Sequence, residues 1–400
     1  MGVDITYMGT KRDLAPVVAD IVSQCQQGPI LDAFSGMCSV AEAVGTKRQI
    51  WTNDALAFPA AVGKAMFTSQ SEPYQASFLL PLIFPEYSRR FDALESRFHR
   101  SLDAERAMLS ASSYEDFSRL HTRLRRVHQV ECNAGAAGRN SFFSTHYANN
   151  YFGVRQAISL DALRCTFSLL NERGHLPDEQ QTWCVLALGR AALRVANSTG
   201  HFAQYLKPKP TSYLKHIRQR ARDVWREWIE GSASLAPVGF ASWRRRNRAF
   251  NEDSLHLASR LKRFETRPAI VYADPPYSKD QYSRFYHIFD TLFLNDCPRL
   301  TGQGLYRPNR FATPFSMKGQ VGGALDLFCQ RVAHSGADLI LSYPTNGLLY
   351  DTGVTPAQLL RKHFSRVQRA YKSRREHSTF GASNGAVRTA VTEVIYLARA

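Results

Sequence analysis

The sequence predicts an α/β fold: a mostly parallel sheet flanked by helices and split by a long, mostly helical insert. Three observations carry this. Short, largely apolar runs recur at 29–34, 49–54, 269–273 and 338–343, the one at 269–273 β-branched, the pattern of strands buried on both faces. Helical apolar periodicity fills the stretches between them. Residues 68–249, by contrast, show helical patterns with no alternation of strand and helix.

The elements follow in order. Leu14, Val17, Val18, Ile21 and Val22 recur at spacings of three and four, one face of a helix. The strand at 29–34 runs into Ser35-Gly36-Met37-Cys38-Ser39, a glycine turn that opens a helix through Val40, Ala41 and Ala43. Such a turn lets a ligand approach backbone amides at a helix N-terminus. The strand at 49–54 ends on Asn53-Asp54, with Asp54 roughly twenty residues after Asp32, where a Rossmann-like unit places an acid near a ribose. Within the insert, helices are expected at 91–106, 117–130, 154–170 and 182–197. The sheet resumes with a short strand near 248–254 that ends in carboxylates, and Leu255, Leu257, Leu261 and Phe264 suggest a helix after it. The strand at 269–273 leads into Asp274-Pro275-Pro276-Tyr277, whose prolines end the strand and stiffen the turn. A polar and aromatic segment from Ser278 enters a helix ending near Leu294. Residues 298–320 read as a long loop, and a helix precedes the strand at 338–343. Two last strands, around 364–371 and 389–397, flank a basic hairpin loop at 372–381.

The charge is lopsided, with 51 Lys and Arg against 34 Asp and Glu, a net +17. Such an excess points to a polyanionic partner, because Lys and Arg contacts to phosphate dominate nucleic-acid affinity. The insert carries most of the basic clusters, interleaved with Phe142, Phe143, Tyr147, Tyr151, Phe152, His201, Phe202 and Tyr205, a mixture suited to phosphate contacts and stacking on bases. The nucleic-acid candidates are Asn197, Thr199, His201, Lys207, Arg244, Arg245, Arg246, Tyr282, Arg284, Arg374 and Arg375. For any single arginine, a solvated helix face is the ordinary explanation. The seven cysteines are scattered without a C-x-x-C pair, and the histidines show no metal-binding spacing. Reduced thiols, a cytoplasmic setting and no metal are therefore expected. No apolar run is long enough to span a bilayer, and the N-terminus lacks the charged-then-apolar layout of an export signal.

In a parallel sheet, the turns at Phe34, Asp54, Asp253 and Asp274 lie along one edge. Carboxylates and a glycine loop there suit a positively charged, nucleoside-containing cofactor. Asp54 can accept from ribose hydroxyls and Asp253 from an exocyclic amine. Amides after Gly36 can meet a carboxylate. The chain has neither a Gly-x-x-x-x-Gly-Lys-Ser/Thr loop nor a full Gly-x-Gly-x-x-Gly, which disfavours ATP and NAD.

These motifs, in this order, resemble those of DNA adenine-N6 methyltransferases, in particular the Dam-like class. Tyr7-Met-Gly-Thr-Lys11 is similar to that class's aromatic-x-Gly-x-Lys opening. Asp32-Ala-Phe34-Ser-Gly36-Met-Cys38 is similar to its Phe-x-Gly-x-Gly loop, with Cys38 in place of the last glycine. Asn53-Asp54 matches the acidic second motif, and Asp274-Pro275-Pro276-Tyr277 the catalytic motif in full. The resemblance implies a Rossmann-like S-adenosylmethionine-dependent methyltransferase domain over residues 1–67 and 250–400, with 68–249 as a helical target-recognition insert. It implies that Tyr7, Lys11, Asp32, Phe34, Gly36, Asp54, Asp253 and Asp274 contact S-adenosylmethionine, and that Cys38 leaves less room at the cofactor's methionine end. Asp274 and the Pro275 carbonyl would accept from the amino group of a flipped adenine, and Tyr277 would stack on it. Double-stranded DNA is the implied substrate. A restriction endonuclease would act on the same site without direct contact. The same chemistry on RNA, and a non-catalytic DNA-binding subunit, remain alternatives.

Overall fold

The structure is a computed structural model that describes residues 11–135, 138–378 and 388–400, leaving out the side chains of 375–378 and 388–390. Tyr7 lies outside the described residues, as does the side chain of Arg375.

The short apolar runs pair with three further strands as one seven-stranded sheet. Its strands are β1 (Ile30–Asp32), β2 (Ile50–Asn53), β3 (Arg248–Phe250), β4 (Ile270–Ala273), β5 (Asp338–Pro344), β6 (Arg366–Ser378) and β7 (Arg388–Arg399). Their spatial order is β3-β2-β1-β4-β5-β7-β6. The first five are parallel, while β7 runs antiparallel between β5 and β6. That order, with the last strand turned back, is typical of the class I S-adenosylmethionine-dependent methyltransferase fold. The strands β1, β2, β4 and β5 are buried along their whole length. They therefore show no polar alternation.

The helices in chain order are α1 (Ala15–Ser23), α2 (Ser39–Val44), α3 (Ala57–Thr68), α4 (Ala76–Arg97), α5 (His99–Leu109), α6 (Tyr114–Asn133), α7 (Phe142–His146), α8 (Val154–Glu172), α9 (Asp178–Val195), α10 (Tyr213–Arg220), α11 (Val224–Ser234), α12 (Ala241–Arg244), α13 (Ser254–Arg260), α14 (Tyr282–Phe285), α15 (His287–Leu294), α16 (Val321–Ser335) and α17 (Pro356–His363). Helices α4 to α12 fall in sequence between β2 and β3. Local signals start several of them. Ser113 caps α6 by accepting from the Asp116 amide, and Thr355 forms a capping box with Gln358 ahead of Pro356 in α17. Other N-termini are capped from a distance. Glu131 of α6 accepts from the amides of Arg100 and Ser101, each at 3.0 Å. Glu105 accepts from Val154 and Arg155 at 2.8 and 3.0 Å, and Asp161 from Phe143 and Ser144 at 2.9 and 2.7 Å. A carboxylate there meets both the unpaired N–H groups and the positive end of the helix dipole. The remote cap by Glu131 explains why the single helix expected at 91–106 is two, broken at the buried Phe98.

The aromatic residues expected to be exposed in the insert are its core. Phe142, Phe143, Tyr147, Tyr151, Phe152 and Phe202 are all buried, packed ring against ring. That core is continuous with one face of the sheet. At the junction Phe58 of α3 stacks on Phe289 of α15, ring centres 4.5 Å apart, and Gly189 of α9 presses on the Phe58 ring. A Cβ at Gly189 would lie 2.5 Å from that ring. The basic hairpin loop expected at 372–381 is also different: β6 and β7 stay paired as far as Ser378 and Arg388, and Arg374 stands on β6 opposite Thr392. Among the described residues no helix is long and apolar enough to cross a membrane. Gly189→Val should lower unfolding stability by about 1–3 kcal/mol, the usual cost of overpacking, read as a shifted urea midpoint. A wild-type midpoint would show that the junction has slack.

Candidate active site

Parallel pairing in register decides where the site is. Asp32 pairs with Thr52 of β2 on one side and with Tyr272 of β4 on the other. The residues just past these positions therefore leave the sheet together along its carboxyl edge. Over that edge lies a cavity partly open to solvent. Its floor is made by Lys11, Asp32, Phe34, Gly36, Asn53, Asp54, Tyr272 and Asp274.

The glycine turn and the acid after β2 form one unit. Asp54 accepts from the Gly36 amide at 3.0 Å through one oxygen and from the Leu56 amide at 2.9 Å through the other. Gly36 has a φ of 48° and Cys38 a φ of 62°, so both sit in the left-handed region. A glycine at the second position is easily understood on backbone grounds. Cys38 is fully buried, with its thiol toward Gly63 of α3, and the cavity lining passes from Met37 to Ser39 without it. The expectation that Cys38 narrows the cavity is corrected: its cost is backbone strain of about 1–2 kcal/mol, not lost room. Asn53 ties three strand ends, donating to the carbonyls of Ala33 and Glu252 and accepting from the Glu252 amide.

Among the described residues, Lys11 is the only cation lining this floor. It is buried, with Nζ 3.1 Å from Asp274 Oδ2, 3.8 Å from Glu393 Oε1 and 5.3 Å from the centre of the Tyr277 ring. Burial opposes its charge, but Asp274 and Glu393 outweigh that and raise its pKa. Asp274 Oδ1 is buried and has no hydrogen-bond partner among the described residues, and the same holds for Asp32 Oδ1. Burial pushes the Asp274 carboxyl up to about 6 despite Lys11. It pushes Asp54 up to about 6 against the bonds from Leu56 and Gly36. Asp32 rises to about 8 through burial, with repulsion from Asp274 and Asp54 added. Three acids held above their ordinary range in one cavity suit a cationic ligand, which would draw them back to the ionised form.

The opposite wall comes from the segment after Tyr277 and from the stretch expected to be a long loop. Gln281 and Thr313 exchange hydrogen bonds, at 2.9 and 3.2 Å, and Ser283 donates to the Phe311 carbonyl at 2.7 Å. Phe311 and Thr313 thus border the cavity together with Tyr282. Tyr282, expected on DNA, is in this wall. Sequence reading passed over Phe311, Thr313, Glu252, Ser254 and Glu393. The last had a signal: a lone carboxylate in the apolar run Val391 to Leu397.

Several expected residues are elsewhere. Asp253 does not line the cavity; it caps α13 by accepting from the Leu255 amide at 2.7 Å, and its neighbours Glu252 and Ser254 face the site instead. Arg244 is fully buried and holds the carbonyls of Ser69 and Gly239 and the Glu72 carboxylate. Its guanidinium is used up inside the protein. Arg245 and Arg246 are exposed, but they precede β3 and so lie at the amino edge of the sheet, away from the cavity. Asn197 is buried and donates to the Leu206 carbonyl at 2.7 Å. His201 is buried edge-on against Phe285. Thr199, Lys207, Arg284 and Arg374 are exposed. Among the described residues no group of three or more metal-binding side chains occurs.

No known family model matches the chain. Curated proteins do match it at low identity. The chain is similar to modification methylases. It is 22% identical over 357 residues to modification methylase StsI of Streptococcus sanguinis, covering 87% of this chain and 45% of that protein. It is 24% identical over 242 residues to type II methyltransferase M.FokI of Planomicrobium okeanokoites, covering 58% of this chain and 34% of that protein. Modification methylase LlaI of Lactococcus lactis subsp. lactis is 21% identical over 319 residues, 78% of this chain and 42% of its own length. The matched region thus spans less than half the length of each relative.

The acid cluster makes a pH prediction. An acid whose folded pKa lies above its unfolded value keeps its proton in the folded state where the unfolded chain has lost it, so stability falls as pH rises through that window. For Asp32 the window runs from about 4 to about 8. Wild type should therefore lose stability relative to Asp32→Asn over that range and no further above it, read from urea midpoints of the two proteins. A constant gap between them would contradict the assignment.

Proposed function

We propose that the chain is a site-specific DNA methyltransferase that moves a methyl group from S-adenosylmethionine to the N6 amino group of a flipped-out adenine. The observation that carries this reading is Asp274-Pro275-Pro276-Tyr277, which leaves β4 at the floor of a buried acidic cavity, with Asp32, Gly36 and Asp54 alongside. The fold order and the similarity to modification methylases support the same reading.

The residues present suit the cofactor. When bound, S-adenosylmethionine supplies an electrophilic methyl group on a sulfonium. Asp54 has both oxygens on backbone amides and keeps lone pairs for ribose hydroxyls. The unpartnered Asp32 Oδ1 offers an acceptor on the same floor. Asp274 has one oxygen on Lys11 and one without a partner, so Oδ1 is the acceptor for the adenine amino group, with the Pro275 carbonyl as the second. Two acceptors on that nitrogen turn its lone pair toward the methyl carbon. Tyr277 provides the ring on which the base stacks. No covalent nucleophile is required, and catalysis rests on position and electrostatics.

Residues 68–249 serve as the target-recognition insert in this reading. The exposed Thr199, Lys207, Arg284 and Arg374 remain candidates for duplex contacts, together with Arg375. A restriction endonuclease reading the same site is a fitting companion that needs no contact with this chain.

Asp274→Ala should abolish transfer of labelled methyl to unmethylated plasmid DNA while duplex binding stays within about 1.5 kcal/mol, the scale of one hydrogen bond. Undiminished turnover would sink the mechanism. S-adenosylmethionine binding should release protons and tighten between pH 6 and pH 8, because the cation favours ionised carboxylates whose pKa values lie at about 6 and 8. Calorimetry in two buffers of different ionisation enthalpy measures this directly, and equal heats in both would refute it.

A further inference from the structure

Glu393 is the feature that the reading above leaves unused. It is 1% exposed, on β7 opposite Pro344, just past the carboxyl end of the parallel strands. Its sequence neighbours Val391, Val394 and Ile395 are buried apolar residues. An ionised carboxylate in such a place costs several kcal/mol unless a cation answers it. Among the described residues Lys11 supplies such a cation, 3.8 Å away, and it also pairs with Asp274 at 3.1 Å. One ammonium thus stands between two carboxylates that come from β4 and β7, with the Tyr277 ring at its side.

An ammonium has three donors. Drawn toward one carboxylate alone, it can settle across both oxygens. Drawn toward two, it keeps to one oxygen of each. In the structure Nζ lies 3.1 Å from Asp274 Oδ2 and at ion-pair range, 3.8 Å, from Glu393 Oε1, and Asp274 Oδ1 has no hydrogen-bond partner among the described residues. Resting on the methyltransferase reading, we propose that Glu393 is a positioning residue: by holding Lys11 away from Asp274 Oδ1, it keeps that oxygen open for the substrate's amino group. Among the described residues, the titratable groups that face this pair include Tyr272, Asp274 and Tyr277 from β4 and its turn, and Lys11 from the segment before α1.

The test is methyl transfer to unmethylated plasmid DNA by wild type, Glu393→Gln, Lys11→Met and the double variant, with kcat followed over pH 5 to 9. Glu393→Gln should lower kcat by roughly ten- to a hundredfold, the scale of a misplaced reacting group, while binding of S-adenosylmethionine and duplex changes by less than about threefold. Its acid limb should move to lower pH, because the negative charge that raises the Asp274 carboxyl is gone. In the Lys11→Met background the same substitution should add less than about twofold, since a residue that acts through Lys11 has nothing left to act on. The double variant carries no unpaired buried charge from this trio beyond Asp274, so it reports even if Glu393→Gln alone folds poorly. A full further loss in the Lys11→Met background would overturn the proposal. So would an unchanged kcat and acid limb in Glu393→Gln with active wild type, and that result would leave the methyltransferase reading intact. A wild type that moves no methyl group to DNA would overturn the reading and this proposal together.

Discussion

The site depends on the parallel register of β1 with its two neighbours. Because Asp32 stands level with Thr52 and Tyr272, the acids after β2 and β4 must emerge beside it, at one buried edge. Carboxylates crowded in low dielectric repel one another and resist ionisation. The fold answers with two devices. The amides of Gly36 and Leu56 hold Asp54, and Lys11, delivered from the segment before α1, holds Asp274. Both leave the cavity short of positive charge. Carboxylates held above their ordinary range in this way suit a cationic ligand.

The helical insert solves a different problem. Its helices are short of local caps and rely on Glu105, Glu131 and Asp161 reaching from other helices to their N-termini. Each such carboxylate couples the placement of two helices. The aromatic core does the same over a larger volume, and through Phe58, Gly189 and Phe289 it joins the insert to the sheet. Basic side chains of the insert are thereby carried on a frame whose core is continuous with the sheet.

Reading along the chain located the strands well. The strands β1, β2, β4 and β5 each have a largely apolar run, and parallel strands buried on both faces show themselves that way. The Asp-Pro-Pro-Tyr turn and the glycine turn were legible for the same reason: each is a local backbone requirement written in proline, glycine and a strand end. Side-chain destinations were less legible. Asp253 and Glu252 are adjacent carboxylates, and only the geometry of the α13 cap decides that one caps a helix while the other faces the cavity. Arg244, Arg245 and Arg246 read as one basic cluster, yet the first is consumed by Ser69, Gly239 and Glu72 in the interior.

Periodicity, strand-end motifs and charge thus determined from the sequence alone an interrupted α/β sheet, an acidic edge and the residues at the centre of it. These are short-range properties, set by sterics and by the burial of neighbouring side chains. The tertiary structure decided which charges are spent inside and which stay free. It also supplied the partners that come from far along the chain: Glu393 beside Lys11, Phe311 and Thr313 across the cavity, and the carboxylates on the insert's helix ends. Pairing at long sequence separation depends on how layers pack, and no local pattern records it.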